Sequence, residues 1–224
     1  RLNVNTLAGN GQQVIYSKAR ISLLTSQLGA DPAWLDKAID WIDFDAAASP
    51  MGAEDYHYLG LEPAYRTSSQ PLADISELRL LMGLANDTFY RLKDYLTVLP
   101  GANTTLNVNT CSAFILQTIA AGLTVEQAEI LVATRSAAGP FESMEAFLQQ
   151  PELAGLGVKQ EGLSVQSSFF EVKVRARFGD QIAYLTSFLH RDPVTGVLKV
   201  LHRNSSDKFL VGPAIQQPEE NSNG

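Results

Sequence analysis

The chain has 224 residues, 45% of them hydrophobic and 18% charged, with 16 Gly and 10 Pro. That composition is globular and excludes collagen-like, wholly disordered and disulfide-scaffold classes, while the length allows one large domain or two small ones. A net charge of −7, from 17 scattered bases against 24 acids, disfavours nucleic acid as a partner, because a hold on a phosphate backbone needs clustered cations.

The chain opens on Leu2-Asn3-Val4-Asn5-Thr6-Leu7, and the same pattern returns as Leu106-Asn107-Val108-Asn109-Thr110-Cys111. Each copy reads as a short extended lead-in to a helical hairpin, since Asn and Thr side chains can satisfy the free amides at a helix start. After the first copy, apolar residues recur at helical spacing from Val14 to Leu28, and Gly29 supplies the stop. Asp31-Pro32 then reads as a cap with Pro at the first helical position, before a stripe of Trp34, Leu35, Ala38, Ile39 and Ile42. An acidic loop from Phe44 to Tyr65 follows, and Asp74 is expected to cap a further helix carrying Leu78, Leu81 and Met82. Ala85 to Tyr95 adds another helical stretch. After the second copy, Ser112 to Ala121 is expected to be helical up to Gly122, and Thr124 with Gln127 forms a capping box ahead of Ala128, Leu131 and Val132.

The period changes after Gly162. Phe170, Val172, Val174, Ala176 and Phe178 alternate with charged residues, which is the two-residue repeat of a half-buried strand. Turns at Gly179-Asp180 and Asp192 to Gly196 separate this strand from two more, Ile182 to His190 and Val197 to His202. The prediction is an α+β protein in which helices from about residue 10 to 160 precede a three-stranded antiparallel meander. The polar tail to Gly224 is expected to be disordered.

Residues 31 to 55 hold seven acids, Asp31, Asp36, Asp40, Asp43, Asp45, Glu54 and Asp55, against the single base Lys37. Asp43 and Asp45 leave the end of a helix, where the macrodipole disfavours negative charge, and Glu54 and Asp55 return after a loop. Carboxylates that converge repel one another unless a cation sits among them. A hard cation with oxygen ligands answers that problem, and Ca²⁺ accepts irregular loop geometry more readily than Mg²⁺. A solvated acidic face with Asp31 as a cap is the other reading. The spacing from Asp43 through Asp45 to Glu54 copies the ends of an EF-hand loop, but Ala47 and Ala48 fail in its middle.

Catalysis finds no motif here: there is no Gly-x-Ser-x-Gly elbow, no His-Glu-x-x-His pair, no phosphate loop and no paired-cysteine zinc site. His57, His190 and His202 are dispersed and read as structural or surface residues, and the lone Cys111 as a small buried one. A helical hairpin can seat a DNA phosphate on its second helix, but Ala121-Gly122-Leu123-Thr124 is followed by Glu126 and Glu129, with no base before Arg135. Packing or protein contact is the better reading.

Asp40-Trp41-Ile42-Asp43-Phe44-Asp45, Gly52-Ala53-Glu54-Asp55 with Tyr58, Pro63-Ala64-Tyr65-Arg66, Pro71-Leu72, Glu77-Leu78-Arg79 and the two Leu-Asn-Val-Asn-Thr segments together resemble the type II secretion minor pseudopilin K family. The resemblance runs from Arg1 to about the third strand. It implies a pilin-like antiparallel β-sheet interrupted by a large all-α insertion domain containing helical-hairpin units. The expected boundaries are 1–9 and 163–204 for the pilin-like portion, 10–162 for the insertion with its acidic loop, and 205–224 for the disordered tail. It also implies a non-enzymatic periplasmic domain, anchored in the inner membrane by an N-terminal helix that would precede Arg1. Its implied partners are the minor pseudopilins I and J, in a complex at the tip of the secretion pseudopilus, with secreted substrates as a further contact and no nucleic acid. Calcium is the implied cofactor, with Asp43, Asp45, Glu54 and Asp55 as ligands; Asp40 matches the motif too, as a ligand or as a surface or capping residue. Cys111 departs from the Ala expected after the second Asn-Val-Asn-Thr. The alternative is a helix-hairpin-helix DNA-binding protein of competence type.

Overall fold

The structure, a computed structural model, describes residues 1–206 and 209. The chain divides into two units, the first spanning Arg1–Ser167 and the second beginning at Ser168.

In the first unit the two Leu-Asn-Val-Asn-Thr segments do the same job. Strand β1, Leu2–Asn3, pairs in parallel with β2, Leu96–Thr97. Strand β3, Leu106–Asn107, pairs in parallel with β4, Leu163–Ser164. The first Asn of each copy then turns the chain: Asn3 Oδ1 accepts from Asn5 N at 3.2 Å, and Asn107 Oδ1 from Asn109 N at 2.8 Å. These side-chain acceptors replace a backbone partner, which is why Asn suits a strand end that bends at once. The rungs themselves are two residues long, too short to show a strand period in sequence.

Helix α1, Gln12–Gln27, ends at Gly29, whose φ of +59° is the left-handed conformation that stops a helix at low cost. Helix α2, Ala33–Ile42, begins where Asp31 Oδ1 accepts from Ala33 N at 2.9 Å. Trp34 Nε1 donates to Thr25 Oγ1 at 3.1 Å and ties α2 to α1. After the acidic loop come α3, Asp55–Tyr58, a 3-10 turn at Ile75–Leu80 closed by reciprocal bonds between Asp74 and Glu77, and α4, Asn86–Leu92.

The second hairpin consists of α5, Ala113–Leu116, and α6, Val125–Ala138, followed by the short α7, Met144–Leu148. The helix expected from Ser112 to Ala121 is shorter than that. It tightens into a 3-10 turn at Gln117–Ile119, where the Thr118 hydroxyl donates to Ile115 O at 2.7 Å. Thr124 and Gln127 form the capping box read from the sequence. Val4, Ile21, Leu24, Ile42, Tyr58, Leu78, Leu92, Val108, Leu116, Leu131 and Phe147 are fully buried in the resulting core. Each aliphatic side chain among them contributes on the order of 1.5–3 kcal/mol through its removal from water.

The second unit is the meander: β5, Phe169–Phe178, β6, Gln181–Arg191, and β7, Leu198–Asn204, antiparallel in that order. The register places Val174 opposite Leu185 and Val172 opposite Ser187. A bulge interrupts β6 and β7 between Phe188 and Leu189. At the second turn Asp192 Oδ1 accepts from Val194 N, Thr195 N and the Thr195 hydroxyl, within 2.7 to 3.0 Å, and these bonds hold its carboxyl below the usual range.

The domain boundaries differ from expectation at both ends. Residues 1–9 belong to the first unit, because Leu2 N donates to Tyr95 O at 2.8 Å and its strand partner is Leu96. Residues 163–167 belong there too, because β4 is committed to β3, so the break falls at Ser167/Ser168. Of the tail expected at 205–224, only residues 205, 206 and 209 are described; the remainder lies outside the described residues. Among the described residues, no helix is long and apolar enough to cross a membrane.

Candidate metal centre

Helix α2 is buried almost all round, and it carries acids on that buried surface. Asp40 is 1% exposed and Asp36 9%. The next turn brings Asp43 to the helix end, where its N–H donates to Ile39 O and its carboxylate meets unpaired carbonyls of the same sign. The loop then leaves through Phe44 and Asp45, turns at Ser49 to Gly52, and returns to the cluster at Glu54.

Asp43, Asp45 and Glu54 each present a carboxylate oxygen within 4.8 Å of the other two. Glu54 is buried, Asp43 half-buried and Asp45 exposed. Burial raises the Asp43 carboxyl to about 6, with repulsion from Asp45 and then Asp40 adding to it. Burial likewise raises Glu54 to about 6, followed by repulsion from Asp43, Asp40 and Asp45 and opposed by a backbone hydrogen bond. Asp43 Oδ1 and Glu54 Oε1 are both buried without a hydrogen-bond partner. Among the described residues, no Lys or Arg forms an ion pair with Asp40, Asp43, Asp45 or Glu54.

Buried, unpartnered carboxylate oxygens are costly, and three acids brought together compound the cost. All the donors are hard oxygens, as Ca²⁺ requires, and two of them, on Asp43 and Glu54, are buried with nothing else to bind. The residues present therefore fit a hard divalent cation, with Asp43, Asp45 and Glu54 holding it. Such an ion would supply positive charge and fix the loop; no chemical transformation is needed of it.

The fourth residue expected as a ligand, Asp55, is not brought into this group. Its Oδ1 accepts from Thr67 N and the Thr67 hydroxyl, both at 2.9 Å, and its Oδ2 pairs with Arg66 Nη1 at 2.6 Å. The Thr67 bonds first, and then Arg66, hold its carboxyl below the ordinary range. Asp55 has its own cation, so adjacency in sequence to Glu54 does not make it part of the cluster. His57, read as structural, accepts from Glu54 N through Nδ1 at 3.0 Å and steadies the loop's return.

Asp40 is neither the surface nor the capping residue the sequence suggested. Both its oxygens accept from Ser49 N, at 3.2 and 3.0 Å. Asp36 accepts from Met51 N at 3.4 Å and is balanced by Lys18 at 3.0 Å. The signal available in sequence was the spacing: Asp36, Asp40 and Asp43 fall on one side of a helix whose flanks are otherwise apolar.

The hairpin ahead of α6 offers no seat for a phosphate. Thr124 Oγ1 takes Gln127 N, and Glu126 bonds to its own backbone and the Thr124 hydroxyl, which draws its carboxyl down.

Comparison with known proteins gives one family. Models described as type II secretion system (T2SS), protein K, match residues 1–101 and 106–166, one for each Leu-Asn-Val-Asn-Thr module. A type II secretion system protein K from Pectobacterium carotovorum subsp. carotovorum is 36% identical over 186 residues, covering 78% of this chain and 56% of that protein. The Klebsiella pneumoniae protein K is 36% identical over 163 residues, 67% of this chain and 50% of that protein. The chain spans about half the length of the curated relatives it matches. A chain in the crystal structure of the GspK–GspI–GspJ complex from the enterotoxigenic Escherichia coli type 2 secretion system has the same fold. Its TM-score is 0.78 at 24% identity, over 92% of this chain and 76% of that one.

Proposed function

Because the chain belongs to the type II secretion system protein K family, we propose that it is the periplasmic domain of a minor pseudopilin that joins pseudopilins I and J at the pseudopilus tip. The carrying observation is the agreement between the two family matches and the two internal modules, joined to the fold shared with a chain of the GspK–GspI–GspJ complex. On this reading the meander is the pilin-like sheet and the helical unit the insertion. Phe170, Val172 and Val174 recur along one side of β5 and are 39 to 46% exposed. Such a row supports the idea that the anchoring helix expected in the full-length protein packs on it. The role is structural: the bulk of the helical unit would hinder another subunit from stacking on this one, which suits a tip.

Calcium is the cation proposed for Asp43, Asp45 and Glu54, where it would neutralise the cluster and stiffen the loop. Asp55 would contribute through its bonds to Thr67 and Arg66, holding α3 in place behind Glu54.

Co-expression with the periplasmic domains of pseudopilins I and J from the same system tests the assignment. A ternary complex of fixed stoichiometry on size-exclusion chromatography with light scattering is expected. Failure to associate with either partner, together with a salt-sensitive shift of duplex DNA, would reverse it in favour of the hairpin DNA binder.

A further inference from the structure

We infer that Asp40 and Gly52 form a latch that sets the shape of the cation loop, with Asp40 a positioning residue and not a ligand. The inference rests on the calcium reading above but concerns residues outside the ligand set.

The loop between Asp45 and Glu54 has to return three carboxylates to one point, and its backbone is tied down by the acids of α2. Ser49 N bonds both oxygens of Asp40, Met51 N bonds Asp36, and Gly52 N closes a turn onto Ser49 O at 2.9 Å. Gly52 lies directly against Asp40. A Cβ placed on it would fall 2.6 Å from Asp40 Cγ and 2.9 Å from Oδ1, far inside contact distance. Gly52 is not among the glycines with left-handed φ, so the requirement here is space, not backbone freedom. The neighbour it would strike is a carboxylate 1% exposed on a helix, which has nowhere to retreat.

Asp40 therefore holds Ser49 N and so fixes the turn before Glu54. Its oxygens are engaged with Ser49 N, while one buried oxygen on each of Asp43 and Glu54 is left bare. Groups that orient ligands without touching the ion commonly alter metal affinity by about 10- to 100-fold.

Terbium(III), a hard ion that reports calcium sites by luminescence sensitised through a nearby Trp such as Trp41, separates the possibilities. Calcium and terbium titrations of the unmodified protein test the calcium reading itself; absence of binding ends that reading and the latch with it. Given binding, Gly52→Ala and Asp40→Ala should each weaken both ions by about 10- to 100-fold, with no change in the number of waters on bound terbium, counted from lifetimes in H₂O and D₂O. The double variant should bind no more weakly than Asp40→Ala, because the added methyl then meets no carboxylate. Asp40→Asn keeps an acceptor for Ser49 N and should recover most of the affinity. Unfolding curves in chelator check that each variant is folded. An added water in Asp40→Ala, equal losses in Asp40→Asn and Asp40→Ala, additive losses in the double variant, or full affinity in Gly52→Ala would each overturn the latch while leaving the calcium site standing.

Discussion

Asn109 lies against the backbone of Phe141 as a false strand would: its Oδ1 accepts from Phe141 N at 2.8 Å and its Nδ2 donates to Phe141 O at 2.9 Å. Asn5 makes the same pair with Leu72, at 2.8 and 2.9 Å. The repeated Asn is thus a two-bond clamp that fastens a distant loop to the start of each module. Removing one partner leaves a backbone donor and acceptor unmet, at about 1–3 kcal/mol for a buried group. Asn5 is 1% exposed and Asn109 half-buried. Asn5→Ala should therefore cost roughly 2–4 kcal/mol and Asn109→Ala about 1–2 kcal/mol by denaturant unfolding. Equal small losses would mean that water replaces the clamp in both places.

Replacing Glu54 by Gln should change sign with calcium. In chelator the variant loses a buried, repelled carboxylate and is expected to gain on the order of 1 kcal/mol, from a carboxyl raised to about 6. In calcium it should lose the ion's stabilisation. Melting curves of Glu54→Gln and the unmodified protein in each condition should cross over. A variant less stable in both conditions would show that Glu54 is structural only.

The pH response follows from the same groups. Asp43 and Glu54 sit at about 6 in the folded chain against ordinary values of 3.8 and 4.5. The folded state thus holds protons more tightly than the unfolded one, and the contribution of these two residues to stability falls as pH rises from about 4 through about 6. Calcium requires the ionised forms, so its added stability should appear over that same rise. Unfolding free energies from pH 4 to 7.5, with chelator and with calcium, should diverge as pH increases; parallel curves would contradict the cluster's electrostatics.

Arg20 is 5% exposed, and its Nη2 donates to Glu161 O at 2.6 Å and Lys159 O at 3.4 Å, while Nε has no partner. Burial lowers its guanidinium to about 10. Arg20 fastens the segment before β4 to α1, and a charge-assisted bond of this kind contributes about 1.5–3 kcal/mol. Arg20→Ala should destabilise by that order and increase amide hydrogen exchange at Glu161 to Leu163. Unchanged exchange there would place the role of Arg20 elsewhere.

Much of the fold was legible wherever a period or a cap is a local property. The alternation from Phe170 to Phe178, the turn at Asp192 and the Thr124–Gln127 box each depend on residues within a few positions of one another. The short parallel rungs were not, because Leu2 and Leu96 meet through the whole path of the first module. For that reason residues 1–9, expected with the meander, belong instead to the helical unit. At the site, charge density alone located Asp43, Asp45 and Glu54. It could not separate Asp55, whose partners Arg66 and Thr67 arrive from a later loop, nor show that Asp40 is committed to Ser49.

The parallel rung between β1 and β2 bears on the order of events during synthesis. Leu2 has Leu96 as its strand partner and waits for the whole first module, whereas Leu106 waits only for Leu163. The segment from Leu2 to Leu7 must therefore stay unpaired until Leu96 has been made, its leucines and valine open to wayward association or to a chaperone. A ribosome pause just before Leu96 would prolong that vulnerable interval for the first module and leave the later, tighter loop untouched.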